Sequence, residues 1–176
     1  MDKFPPDPAQ VLTRTMTMLR LAQQGLRDME ESDHDRILLG FFSVVVFGRA
    51  VTNALQNLRT FDKAAFDQWY GPWQQEMRDD PLLRWFYELR SDILKGIAPL
   101  VGIVLGSAGR DALRPGAVTV SDRPPPNVHR GQSIEAREML PLSRLYIAYL
   151  EEMVESGAVV IWEVYDRYAA SKEPPA

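Results

Sequence analysis

Three ionisable side chains fall within six positions in the stretch Leu89-Arg90-Ser91-Asp92-Ile93-Leu94-Lys95-Gly96. Arginine grips phosphate or carboxylate through a rigid fork of donors, and lysine supplies a compact point charge. On a helix Arg90 and Lys95 stand about 140° apart, and Asp92 falls about 60° from Lys95. Beside the apolar Leu82, Leu83, Trp85 and Phe86, such groups must turn away from the core or pair with each other. Two readings are open. The stretch is a solvated helix end with a cation near the negative end of the dipole, or Arg90, Asp92 and Lys95 are candidates for chemistry on a bound ligand.

Two further sets bear on binding. Arg49 and Asn53 are four apart, so on a helix they project from one face. A buried arginine requires a partner, which Asp92, Glu88 or a ligand anion could supply. Both a structural arginine–carboxylate pair and a ligand site fit. Trp69, Tyr70, Trp73, Trp85, Phe86 and Tyr87 are interleaved with Arg78, Arg84 and Arg90. Aromatic rings among arginines can stack single-stranded nucleic acid. Asp79, Asp80 and Asp92 dilute that charge, and most of the rings are expected in the core and at a dimer interface.

The pattern at residues 90–95 resembles the HEPN superfamily of helical bundles. There one helix carries an arginine, then a polar residue, then a histidine four to six residues after the arginine. Arg90 matches the arginine, Ser91 or Asp92 the polar residue, and Lys95 stands where the histidine should be. The resemblance extends loosely to the helix order, including Arg49 and Asn53 on the preceding long helix. For active members it implies metal-independent RNA cleavage across a dimer interface. The departure at Lys95 matters, because histidine titrates near pH 6.5 and lysine near 10.4. Lysine can donate a proton or bind phosphate, but acts as a base only with a strongly lowered pKa. The resemblance therefore implies a non-catalytic member that binds RNA, a protein partner or another ligand, in a defence or toxin–antitoxin setting. His129, in the irregular segment after the motif, is the candidate to fold back beside Arg90. The rival readings are a ribonuclease using Arg90 with Lys95 or His129, and a plain interaction or scaffold protein.

Other chemistries lack their residues. The chain has no cysteine and two histidines, so thiolate sites, disulfides and three-histidine metal sites drop out. A di-iron bundle needs two Glu-x-x-His pairs; this chain has one, Glu31 to His34, across a helix break. Neither histidine sits near a Gly-x-Ser-x-Gly elbow, and Gly102, Gly106 and Gly109 lack the Lys-Ser/Thr ending of a phosphate loop. No metal and no cofactor are expected. The net charge of -4 does not call for RNA, although a local basic patch remains compatible with it.

The elements that must position these residues read as helices. Val11, Leu12, Thr15, Met18, Leu19, Ala22, Leu26 and Met29 recur at spacings of three and four, predicting a helix from about 9 to 31, capped by Asp7. A second runs from about 35 to 59, apolar all round in its first half. Asp62 caps a third through about Met77, with Gly71-Pro72 as a place to kink or split. Asp80-Pro81 starts a fourth, ending at Gly96. The last spans about 141 to 170, with an extra turn or two from near Ser133. Ala117 to Ser121 is the best short strand, one arm of a hairpin. The apolar runs Ile37 to Phe47 and Ile97 to Leu105 fall short of the roughly 20 residues of a membrane span. The N-terminal residues lack the apolar region of a secretory signal. The expectation is one all-α domain over residues 1–176, an antiparallel bundle of about five helices. An irregular insertion near 106–132, able to form a β-hairpin, interrupts it, and the tail 171–176 is frayed. It is expected in the cytoplasm as a homodimer, clear of membranes.

Overall fold

The computed structural model describes residues 7–30, 34–95, 101–103, 118–120, 124–134 and 138–170, with backbone alone at 34, 35, 101–103 and 118–120. Among them are five α-helices packed as an antiparallel bundle. The expected Glu31–His34 pair, the remainder of the 106–132 insertion and the tail 171–176 lie outside the described residues.

Helix α1 (Pro8–Met29) starts where Asp7 accepts a hydrogen bond from the Ala9 amide at 2.9 Å, with Pro8 at the first helical position. Its buried stripe of Val11, Thr15, Leu19, Ala22 and Met29 faces α2 (His34–Leu55). The two helices touch through glycine. A Cβ on Gly25 would sit 2.6 Å from the Gly40 carbonyl oxygen, and a Cβ on Gly40 would strike the Gly25 oxygen in return. Glycine at both positions is therefore what lets the backbones approach this closely. Ile37, Phe41, Val44, Val45, Val51 and Leu55 make α2 the spine of the core.

A 3₁₀ turn (Gln56–Thr60) tightens the end of α2. The helical stretch Arg36–Thr60 is long and apolar enough to cross a membrane, with a mean hydropathy of 1.7. The apolar run counted from Ile37 to Phe47 continues, with Val51, Leu55 and Leu58 carrying it on into the core.

Helix α3 (Lys63–Asp79) is capped by Asp62, which accepts from the Ala65 amide, and it runs through Gly71-Pro72 without a break. Helix α4 (Pro81–Leu94) is capped by Asp80. Helix α5 (Met139–Ala170) crosses the other helices and closes the core. Phe86 of α4 stacks on Tyr146 of α5, centroids 4.2 Å apart and planes 9° from parallel. Trp69 of α3 lies over Gly157, where a Cβ would enter the indole ring. Most of the aromatic stretch is thus buried within one chain, while Tyr87 stays half exposed.

The expected strand appears as β2 (Val118–Val120), antiparallel to β1 (Val101–Ile103) with Val101 opposite Val120. A second hairpin joins β3 (Val128–His129) to β4 (Gln132–Ser133). Its turn residues Arg130 and Gly131 both have positive φ, 49° and 73°. That is the geometry two-residue hairpins favour, because it matches strand twist. It also corrects the helical turn expected from Ser133. Ser133 pairs with Val128 in β4, and α5 begins at Met139 with Pro141 in its first turn, where no amide is needed.

Candidate functional site: an arginine-lined cavity

Three helical stripes converge on a cavity of about 430 Å³. From α2 and the turn after it come Arg49, Thr52 and Gln56, spaced three and four apart and so on one face. Helix α3 contributes Tyr70, Gln74, Met77 and Arg78, and α4 contributes Leu83, Arg84, Tyr87 and Glu88. Tyr146 of α5 also lines it, its ring lying against Gly48 of α2. A second hollow of about 520 Å³ shares Gln56, Tyr70 and Gln74 with the first. Its outer wall carries Asp67, held by Arg59 at 2.8 Å and Lys63 at 3.0 Å. Hydrogen bonds from those two cations keep the Asp67 carboxyl below its ordinary range.

Arg49 donates to Thr52 Oγ1 at 2.5 Å, and its guanidinium lies 4.9 Å from the centre of the Tyr87 ring. Among the described residues no carboxylate comes within ion-pairing distance of Arg49, Arg78 or Arg84. Neither the Glu88 nor the Asp92 pairing expected for Arg49 forms. The Tyr70 hydroxyl is buried and has no hydrogen-bond partner, while the residue is 3% exposed. Burial pushes its pKa up; Gln56, Arg49 and Thr52 oppose that from nearby without reaching hydrogen-bonding geometry. Burial raises Tyr146 likewise, against the field of Arg49. Both phenols are therefore neutral donors at pH 7. Arginines with no carboxylate partner among the described residues, beside a buried phenol without a hydrogen-bond partner, suit an anion, because guanidinium forks match its oxygens and the buried phenol costs free energy until something accepts from it.

The residues named from sequence divide. Arg49 lines the cavity, whereas Asn53 is exposed and is not among the lining residues. Arg90 and Asp92 are half buried and Lys95 is exposed at the C-terminal end of α4, also outside the cavity. Lys95 caps that helix with its own amide, bonded to the Ser91 and Asp92 carbonyls. Among the described residues neither Arg90 nor Lys95 forms an ion pair. His129 is at the other end of α4, bound to Asp80. Asp80 precedes Arg90 by ten positions, roughly 15 Å along the helix.

Asp80 gathers four donors. Its Oδ1 accepts from the Leu82 and Leu83 amides at 2.9 and 3.0 Å and lies 3.1 Å from His129 Nδ1; its Oδ2 accepts from the Arg130 amide at 2.5 Å. An ionised carboxylate only accepts, so Nδ1 carries the proton. Burial alone would raise Asp80, but the Arg130 amide, His129 and the Leu83 amide outweigh it and hold the carboxyl low. The Arg130 guanidinium then bridges Glu76 at 2.8 Å and Glu152 at 2.6 Å and lies over Tyr149. This cluster pins the β3–β4 hairpin to the corner between α3 and α4. That corner carries Met77, Arg78, Leu83 and Arg84 into the cavity wall.

Sequence reading missed Thr52, Gln56, Gln74 and Tyr146. The spacing 49, 52, 56 was a usable signal for the first two. Tyr146 joins from a distant helix, which no local pattern announces.

Fold and site together define an all-α bundle with a cationic cavity between its central helices. Residues 27–97 match the protein family described as Bacteriophage lambda protein ea47. The match spans the end of α1 and all of α2, α3 and α4, less than half of the chain, and takes in every lining residue except Tyr146. No curated protein and no solved structure matches the chain.

Proposed function

We propose that this chain is a HEPN-like helical protein that acts by binding, as a homodimer, and does not cleave RNA. The observation that supports it is the place of His129, bonded to Asp80 and roughly 15 Å along α4 from Arg90. Arg90 is then left with Lys95, which stands exposed at the helix end where active members carry a histidine to take the ribose proton. The cavity supplies what a binding protein needs instead, a concave site with a few polar groups directed at one ligand. Val159 and Trp162 on α5, 66% and 58% exposed, support the homodimer. Likeness to a phage family supports a setting in the conflict between phage and host; the cytoplasm is part of the proposal.

The test is incubation of the pure protein with mixed RNA in EDTA. RNA left intact is the expected result. Cleavage that disappears in an Arg90→Ala variant would replace this reading with that of a metal-independent ribonuclease. Sedimentation at micromolar concentration checks the dimer, and Trp162→Glu should return it to monomer.

A further inference from the structure

We infer that the cavity between α2, α3 and α4 binds a phosphate monoester carried on a flat apolar body, with Arg49, Arg78 and Arg84 holding the phosphate. This rests on reading the chain as a binding protein and names the ligand of that site. Four features point to it.

The first is charge. Among the described residues three arginines and one glutamate, Glu88, line the cavity, an excess of two positive charges. A phosphate monoester is close to a dianion at neutral pH, so it balances the wall where a single carboxylate would leave a cation over. The second is donor supply. Arg49 places one N–H on Thr52 and, among the described residues, has no carboxylate for the rest. Guanidinium forks match phosphate oxygens two at a time.

The third feature is Tyr70. Its hydroxyl is buried without a hydrogen-bond partner, in a residue 3% exposed, at the same wall as Arg49, Thr52 and Gln56. A phenol kept neutral by burial is a donor awaiting an acceptor. The fourth is the rest of the lining. Met77, Leu83 and the rings of Tyr87 and Tyr146 are apolar surface that a bare inorganic ion would leave uncovered. A volume of about 430 Å³ falls in the range of small-molecule sites. Tyr87 already carries one planar group, the Arg49 guanidinium, on its ring face.

Titration calorimetry on the full chain with phenyl phosphate, inorganic phosphate and benzoate separates the elements of the proposal. Phenyl phosphate should bind at least tenfold tighter than either of the others. Arg49→Gln should weaken it tenfold or more, Arg49→Lys by less, and Tyr70→Phe about threefold, with Arg36→Gln on the far end of α2 as the unchanged control. Tyr70→Phe removes a hydroxyl that bonds to nothing, so it keeps the fold and decides the matter should Arg49→Gln unfold. Benzoate binding as tightly as phenyl phosphate, or an affinity indifferent to both Arg49→Gln and Tyr70→Phe, would overturn the assignment. The two readings fail separately. RNA cleavage by the chain defeats the non-catalytic reading whatever the titration gives, whereas failed titration over intact RNA defeats this site alone.

Discussion

Replacing Asp80 with alanine should destabilise the protein far more than replacing Asp7, although both aspartates cap helices through the same kind of bond. Asp7 accepts one amide hydrogen, from Ala9 at 2.9 Å, in an exposed setting. Losing such a cap costs about 0.5–1 kcal/mol. Asp80 is 6% exposed and takes four donors. The cap itself contributes about 1 kcal/mol. The buried His129 ring and the part-buried Arg130 amide would then lose their acceptor, at about 1–3 kcal/mol for each group left unsatisfied. With both groups taken near the low end, because the hairpin lies at the surface, the sum is about 3–4 kcal/mol, a large share of the roughly 5–15 kcal/mol that holds a domain together. At about 2–4 °C per kcal/mol for a chain of this size, the melting midpoint should fall by about 10 °C. Urea unfolding followed by far-ultraviolet dichroism measures both variants. Asp80→Asn keeps one acceptor oxygen and should fall between. If Asp80→Ala cost no more than Asp7→Ala, the account of a buried, four-donor hub would be wrong, and with it the anchoring of the β3–β4 hairpin.

Gly40→Ala should cost about 3 kcal/mol in the same assay, because its Cβ meets backbone rather than a movable side chain. Gly71→Ala has no atom within 4 Å to meet and should be neutral or stabilising by up to about 1 kcal/mol, so equal effects at 40 and 71 would refute the close-packed pair of helices. Acid should act through Asp80. Its folded pKa is lowered, so its stabilisation is present above the unfolded value near 3.9 and is lost as pH falls through the lower folded value. The wild-type urea midpoint should therefore drop more steeply below pH 4 than that of Asp80→Asn; parallel profiles would show that other carboxylates govern the acid limb. Tyr70→Phe, which deletes an unpaired buried hydroxyl, should leave the ligand-free protein about 1 kcal/mol more stable. A loss instead would mean that the hydroxyl has a partner.

Much of this architecture was legible because local rules wrote it. Asp7, Asp62 and Asp80 cap the helices they were expected to cap, since an aspartate before an apolar stripe satisfies orphan amides wherever the chain goes. Ala117 to Ser121 contains β2 because its alternation is local too. What escaped depends on distant partners. Gly71-Pro72 looked like a break, yet packing of Trp69, Tyr70 and Trp73 carries α3 through it. His129 to Gly131 fall in the stretch expected to be irregular and able to form a hairpin, and Ser133 in the expected lead into a helix. The left-handed turn and the buried Asp80 fifty positions away were decisive there. For the site, Arg90, Asp92 and Lys95 stand at the C-terminal end of α4, outside the cavity. The cavity is instead lined by a short stripe on α2, a corner between two helices and one tyrosine brought from α5.

Gly48 has no side chain, and that absence lets the Tyr146 ring, part of the cavity lining, lie against α2. A Cβ there would fall 2.5 Å from the Tyr146 ring and force it away from α2. Gly48 lies inside the stretch shared with the phage family, and Tyr146 lies outside it. The three arginines and the seat for the Tyr146 ring thus fall within one stretch, while the ring itself comes from a separate part of the chain. A relative keeping Arg49, Arg78 and Arg84 but placing a smaller or larger ring against Gly48 would hold the same anion beside a different space. Ligand size would then drift among such proteins while the charge they accept stayed constant.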